Sequence, residues 1–299
     1  METLLFTGAT GFLGANVLPF LKDKYEVETL ALDENATYNI NLVTDSIKLS
    51  KKYDIVLHAA GKAHVIPRTE AENKLFYDIN FEGTKKLCSA LEEFGLPKSF
   101  IFISTVAVYG CEIGDMITEE HPLNGDSPYA KSKIMAEQFL QKWSQKNNVV
   151  LTILRPSLIA GKNPPGNLGA MIRGIENGRY LSIAGGVSKK SVMMACDLAK
   201  VLPLCEKKGG VYNICDDAYP SFHELEMLIS KQLNKKPPIN IPYWLANCLA
   251  LIGNLLGRKA PINSARLEKI VKSLTFSNEK IKNELGFVPT DVISNFKIR

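Results

Sequence analysis

Short, nearly continuous apolar runs alternate with stretches of helical period through the first half of the chain. Residues 4–7, 26–32, 54–61, 99–105 and 149–154 read as strands, and their unbroken apolar character marks parallel strands covered on both faces. Between them, 15–22, 45–51, 70–94 and 129–145 carry helical patterns. Strand and helix in alternation predict an α/β fold, a doubly wound parallel sheet. After Arg155-Pro156 the texture changes. Asn163-Pro164-Pro165-Gly166 is a loop, 168–176 is helical, 180–183 and 211–214 are extended, and 221–233, 244–256, 264–272 and 278–285 are helical. Residues 1–161 are expected to form the first domain, with later segments able to return to it. Residues 162–299 are expected to form mainly a smaller C-terminal mixed α/β lobe over the strand ends.

Composition changes this picture little. At 45% hydrophobic and 22% charged, the chain has the make-up of an ordinary soluble domain. The net charge of +5 comes from scattered Lys, which predicts no nucleic-acid partner and tolerates an anionic ligand. The cysteines (Cys88, Cys111, Cys196, Cys205, Cys215, Cys248) form no CxxC pair, so no metal site and no disulfide framework are expected, and a reducing, cytoplasmic setting is. The first strand starts almost at Met1, so no signal peptide is expected. The apolar stretch 244–256 is too short to cross a bilayer and holds Asn247, Gly253 and Asn254. It is expected to pack as a helix on its own lobe, leaving no transmembrane segment.

The first strand ends at Thr7 and runs into Gly8, Gly11 and Gly14 before a helix. Such a turn offers unpaired N–H groups and a positive helix end to a phosphate. Gly8 would permit the turn, Gly11 a close pyrophosphate, and Gly14 tight helix–strand packing. The spacing is GxxGxxG, and a glycine-rich turn without a ligand is the alternative. Asp33 closes the second strand, where a carboxylate accepts both ribose hydroxyls of an adenosine and repels a 2′-phosphate; the alternative is a polar loop residue. Tyr129 and Lys133 stand four apart on one helix face. An ammonium beside the phenol, with a positive nicotinamide ring, would lower the Tyr pKa and let it exchange a proton with a substrate hydroxyl. Thr105 ends the fourth strand, at the edge where ligands of such sheets bind; alternatively Ser104 and Thr105 only satisfy backbone groups there.

Together these pieces resemble the extended short-chain dehydrogenase/reductase family, the NAD(P)-dependent nucleotide-sugar epimerases, reductases and dehydratases with a Rossmann-like fold. The resemblance runs from Met1 to about Pro289. It rests on Thr7-Gly8-Ala9-Thr10-Gly11-Phe12-Leu13-Gly14, His58-Ala59-Ala60-Gly61, Asn80-Phe81-Glu82-Gly83-Thr84, Ser104-Thr105-Val106-Ala107-Val108-Tyr109-Gly110, Pro128-Tyr129-Ala130-Lys131-Ser132-Lys133 and Arg155-Pro156 with Gly161, in the family's order. It implies Tyr129 as acid/base, Lys133 as its pKa partner and ribose contact, and Thr105 as donor to the substrate oxygen. It implies NAD, rather than NADP, held by Gly8, Gly11, Phe12, Leu13, Asp33, Leu42, Ala59, Ala60, Asn80, Ser104, Tyr129, Lys133 and Pro156. Asn167 with Leu168, and Lys190, fall where the family contacts the sugar nucleotide. Free N–H groups at the start of the 168–176 helix could meet a diphosphate, or Asn167 could simply cap that helix. A homodimer is compatible with the resemblance.

Three positions depart from the family. Asn41-Leu42 stands where Asp and an aliphatic residue meet the adenine. Residues 190–197 carry Lys190 in place of an Arg, keeping the charge without the bidentate fork. Ile159 and Ala160 replace the Val-Tyr before Gly161. The choice of reaction follows from Val106-Ala107, which cannot move protons where dehydratases of the family carry Asp-Glu. What remains is NAD-dependent epimerisation of a nucleotide sugar, of a UDP-hexose or UDP-N-acetylhexosamine at C4, with segments 58–66 and 155–183 resembling polysaccharide-pathway enzymes of that kind. The alternatives are NAD(P)H-dependent reduction of a UDP-4-keto-6-deoxy-N-acetylhexosamine, and a non-catalytic NAD-binding regulatory protein.

Overall fold

The computed structural model describes residues 1–256 and 262–298. In chain order they form β1 (Thr3–Thr7), α1 (Phe12–Leu21), β2 (Glu26–Ala31), β3 (Tyr38–Asn39), β4 (Ile55–His58), α2 (Glu70–Tyr77), a π-helical turn (Asp78–Glu82), α3 (Gly83–Phe94), β5 (Ser99–Ile103), β6 (Gly114–Ile117), α4 (Pro128–Asn147) and β7 (Val150–Pro156). There follow β8 (Leu158–Ala160), α5 (Gly166–Glu176), β9 (Leu181–Ile183), β10 (Val192–Met194), α6 (Asp197–Cys205), β11 (Gly210–Ile214), α7 (Phe222–Gln232), β12 (Ile239–Ile241), α8 (Tyr243–Leu256), α9 (Ser264–Val271), β13 (Leu274–Phe276), α10 (Glu279–Leu285) and α11 (Val292–Asn295).

Seven strands make one sheet in the order β11-β7-β5-β4-β1-β2-β3, every neighbouring pair parallel. The order reverses between β1 and β4, which fixes the ligand crevice at their carboxyl ends. Alternation along β1 divides the core. Leu4 and Phe6 face Val17, Leu21 and the α6 side chains Leu198 and Leu202, whereas Leu5 faces Leu87, Leu91 and Leu140 of α3 and α4. Strand β11 returns from the second half of the chain to extend the sheet beside β7. The smaller lobe has its own core, in which Leu168, Met171 and Ile172 meet Leu225 and Ile229.

Two expected elements differ. Residues 45–51 are not a helix. Asp45 Oδ2 accepts from Asn41 N–H (2.8 Å) and Asn41 Oδ1 from Val43 N–H (2.9 Å), so short polar side chains satisfy one turn locally and end it. Beyond that turn Ile47 and Leu49 are buried and Lys48 and Ser50 exposed, a period of two that belongs to extended chain. The expected 70–94 helix is two helices joined by the π-helical turn, which carries the fully buried Asn80. The elements missed by pattern are chiefly two to four residues long, as in β3, β6, β8, β10 and β13, too short to show a period. No described helix is long and apolar enough to cross a membrane.

Candidate active site

The β1–α1 turn is shaped by its glycines. Gly8 has φ +75° and donates to Leu30 O at 2.8 Å; a Cβ on it would lie 2.6 Å from Ala60 N. A Cβ on Gly14 would lie 2.3 Å from Ala9 O, so only glycine lets α1 pack this closely. Gly11 differs: a Cβ there would meet only Gly8 O, at 3.3 Å, and its outer side is open. Gly11 is the N-cap of α1, and no side chain caps the helix. The first N–H groups, at Phe12 and Leu13, are thus left for an anion. Asp33 follows β2; its Oδ1 accepts from Asn35 N–H (2.8 Å) and Asn35 Nδ2 (3.2 Å), leaving lone pairs on the carboxylate for hydroxyl groups. Leu42 is buried against Gly83.

A buried polar chain fixes the end of β4. Ala60 N–H donates to Thr7 Oγ1 (3.2 Å), Thr7 Oγ1 to His58 Nδ1 (2.6 Å), His58 Nε2 to Thr84 Oγ1 (2.8 Å) and Thr84 to Asn80 O (2.7 Å). This direction of donation is the one that satisfies each hydroxyl once, and it makes His58 the Nε2–H tautomer. Burial, with the Lys133 charge nearby, pushes His58 down to about 3, so it stays neutral. The Asn80 amide clips the loop after Ala59 and Ala60 to α4: Oδ1 accepts from Lys62 N–H (2.7 Å), and Nδ2 donates to Lys62 O (3.1 Å) and Ser132 Oγ (2.9 Å). Its side chain is therefore spent on protein partners.

Thr105 and Tyr129 come together. Thr105 Oγ1 accepts from Ala107 N–H at 3.1 Å, and its hydroxyl is close enough to that of Tyr129 to lower the Tyr129 pKa. Tyr129 is the second residue of α4, whose start is set by Pro128 and by Ser127 Oγ accepting from Ala130 N–H (3.1 Å). Burial raises the Tyr129 pKa and the Thr105 hydroxyl draws it back. Lys133 is 4% exposed; its Nζ donates to Ile103 O (2.8 Å) and sits 4.5 Å from the Phe102 ring centre. Burial lowers its pKa to about 8, and Glu137 opposes that shift. Gly61 lies directly over the pair Asn80–Lys133: a Cβ there would stand 3.0 Å from Asn80 Oδ1 and 3.3 Å from Lys133 Nζ.

Beneath these residues lies a network that sequence reading missed. Glu137, one turn past Lys133, accepts from Arg155 Nη2 (2.6 Å) and Nε (3.1 Å), both side chains almost fully buried. Ser104, expected at the cofactor, donates its hydroxyl to the Glu137 carboxylate. Arg155 Nη1 also donates to Tyr109 Oη (3.0 Å), and Tyr109 donates to Asn213 Oδ1 (2.6 Å). The signal was present: an Arg inside an apolar strand demands a buried acid. Pro156 ends β7 in register with Ile214. Asn16, also missed, joins α1 to the start of the lobe, accepting from Lys162 N–H (2.7 Å).

In the lobe, Asn167 is exposed and is the second residue of α5, whose N-cap is Pro165; it does not cap the helix, against the capping alternative. The Leu168 side chain is in the core, so only its backbone could meet a ligand. Gly166 (φ +63°) faces His64 of the loop after β4, since a Cβ on it would lie 3.0 Å from His64 Nδ1. That contact brings the α5 N-terminus to the rim of the crevice. Lys190 is committed elsewhere: its Nζ donates to Lys269 O (3.0 Å) and Lys272 O (2.8 Å) at the C-terminal end of α9, and no contact joins it to Asn167. Among the described residues no cluster fit to hold a metal is present.

Residues 4–215 match the model of the NAD dependent epimerase/dehydratase family. The chain is 28% identical to N-acetyl-alpha-D-glucosaminyl-diphospho-ditrans,octacis-undecaprenol 4-epimerase of Escherichia coli O157:H7, over 98% of this chain and 92% of that protein. It is 26% identical to UDP-glucose 4-epimerase of Vibrio cholerae over the same shares. The crystal structure of UDP-N-acetylglucosamine 4-epimerase from Bacillus cereus superposes with a TM-score of 0.72 at 20% identity, covering 98% of this chain and 96% of the other, a likeness of fold.

Proposed function

The chain belongs to the NAD-dependent epimerase/dehydratase family, and from that premise we propose that it inverts C4 of a hexose or N-acetylhexosamine carried on a diphosphate, with UDP as the carrier. The observation that carries this reading is the Thr105–Tyr129 hydroxyl pair with only Val106 and Ala107 following it. Two hydroxyls suit one substrate oxygen: Thr105 donates to it while Tyr129 takes its proton. Val106 and Ala107 offer no second acid or base for removing water, so the chemistry stops at C4. The substrates that the two relatives are named for, a UDP-hexose and a diphospho-undecaprenol sugar, share the sugar and the diphosphate.

The cradle fits NAD. The uncapped α1 N-terminus with Gly11 open beside it suits the pyrophosphate, Asp33 the adenosine ribose, and Leu42 the adenine side. When bound, NAD supplies reversible acceptance of hydride from C4. Lys133 has spare donors beyond Ile103 O for a ribose hydroxyl, and its charge beside a bound cation-bearing ring would favour the Tyr129 phenolate. The Glu137 carboxylate opposes the burial that lowers the Lys133 pKa to about 8. Asn167 and the N–H groups of α5 meet the diphosphate.

The test is a panel of UDP-hexoses, UDP-N-acetylhexosamines and UDP-4-keto sugars followed by NMR with and without NADH. Epimer formation without added NADH supports the reading, and stoichiometric consumption of NADH by a keto sugar replaces it with the reductase. Tyr129→Phe should cut turnover by about 10²–10⁴-fold and leave NAD binding intact; turnover near the parent's would mean that the proton takes another route.

A further inference from the structure

Helix α8 is apolar on every side except the flank that carries Asn247 and Asn254. Its 14 residues include no charged side chain. Ala246, Ala250 and Gly253 form a buried stripe, the two alanines packing with Ile183 and Leu267. On the opposite side Trp244, Cys248, Leu251, Ile252 and Leu255 repeat at i, i+4, i+7, i+8 and i+11, one continuous face. Trp244 is 67% exposed, Leu251 54%, Ile252 55% and Leu255 89%. A helix packed on one side only would carry polar residues there. The helix spans about 21 Å at ~1.5 Å per residue, well short of a hydrocarbon core of ~30 Å. The rim continues into the small sheet: exposed Ile239 pairs with exposed Leu181, on the same face as the Ile241–Ile183 pair that packs against α8.

Charge says what covers this face. Residues 231–272 hold eight Lys or Arg and a single acid, Glu268, a net +7 in a chain whose total is +5; the rest of the molecule is slightly acidic. Exposed Lys235 and Lys236 precede α8, and Arg258 and Lys259 follow it in the sequence. Apolar face, aromatic Tyr243 and Trp244 at its start, and basic residues at both ends are the make-up of a helix lying in the plane of an anionic membrane surface.

We propose that α8 docks this protein on an anionic bilayer, with Trp244, Leu251, Ile252 and Leu255 in the headgroup–acyl boundary, and that there the site also takes, besides the UDP sugar, a sugar diphosphate carried by a polyprenyl lipid. A water-soluble nucleotide sugar comes to the enzyme, whereas a long apolar carrier stays in the bilayer and the enzyme must come to it. The second clause rests on the epimerase reading above; the docking clause stands on α8 alone.

The full-length chain is added to phosphatidylcholine vesicles with and without phosphatidylglycerol. The chain has two Trp, and Trp143 is buried at 5% exposure, so a blue shift or quenching by brominated lipid reports Trp244. Binding is expected to anionic vesicles, to weaken at least about tenfold in Lys235→Gln/Lys236→Gln, each surface charge being worth ~1 kcal/mol, and to vanish in Leu251→Glu/Leu255→Glu. Absence of binding by the parent, or a dimer that Leu251→Glu/Leu255→Glu dissociates, overturns docking. In the same vesicles a polyprenyl-diphospho-N-acetylhexosamine is compared with the UDP sugar in solution. Loss of turnover on the lipid-linked sugar alone in the α8 variant supports the proposal. Parent turnover on the UDP sugar but not the lipid-linked one overturns the lipid carrier and leaves the epimerase; turnover on neither overturns the epimerase and the carrier together, whatever the vesicle binding.

Discussion

Replacing Glu137 by Gln keeps the side-chain volume and removes one buried negative charge. Arg155 is 4% exposed and loses the negative charge opposite it; the amide oxygen can still accept from Ser104 and Arg155 Nε, but the amide nitrogen then meets Arg155 Nη2 donor to donor. Removing one partner of such a pair leaves an uncompensated charge and costs about 3–5 kcal/mol. For a chain of this size that lowers the melting temperature by about 6–12 °C. Glu137 also opposes the burial that brings Lys133 down to about 8, so the variant's Lys133 titrates lower still. Activity that needs the ammonium is lost as pH rises through 8 in the parent and from a lower pH in the variant. Differential scanning calorimetry and a pH–rate profile read both effects. Glu137→Met/Arg155→Met removes both charges and should recover more than half of the stability loss. A Gln variant melting within about 2 °C of the parent, or a double variant costing the sum of its singles, would refute the reasoning.

Three further outcomes follow from particular residues. Asp33→Ser should narrow the preference for NAD over NADP measured by titration; tighter NADP than NAD binding in the parent would contradict the role given to Asp33. Asn167 is exposed and does not cap α5, so Asn167→Ala should leave stability within about 0.5 kcal/mol while Asn167→Asp weakens UDP binding and spares NAD; equal UDP affinity in the Asp variant removes the diphosphate site. His58 is held near 3, so below its ordinary value the unfolded chain takes up a proton that the folded one refuses, and stability falls with falling pH. Between pH 6.5 and 5 that amounts to about 2 kcal/mol, and urea unfolding of His58→Gln should lack this component; a parent–variant difference independent of pH would show that His58 does not titrate in the window.

What could be read from sequence was whatever depends on local spacing. Gly8, Gly11 and Gly14 announce the turn because their conformations and close approaches are set within a few residues of chain. The Thr105, Tyr129 and Lys133 constellation was legible because each sits at the end or start of an element with its own signal. Partners distant in sequence were not. Ser104 is taken by Glu137, Asn80 by Lys62 and Ser132, and Lys190 by carbonyls about eighty residues away, and nothing in spacing distinguishes a buried positioning bond from a ligand contact. In the 45–51 segment the only apolar residues, Ile47 and Leu49, stand two apart, an extended-chain spacing too short to read as a pattern, and the Asn41–Asp45 turn leads into that extended chain. The 244–256 helix was rightly placed, yet only the fold shows that Ala246 and Ala250 take its inner side and leave Trp244, Leu251 and Leu255 outside.

The most direct test of the account is the fate of hydrogen at C4. Purified protein with its NAD is incubated in ordinary water with sugars deuterated at C4, on UDP and on a polyprenyl diphosphate in vesicles, without added NADH. The account predicts the C4 epimer with deuterium retained, and loss of that product in Tyr129→Phe. Unchanged substrate on both carriers, or an epimer whose deuterium has been exchanged for solvent hydrogen, would contradict it.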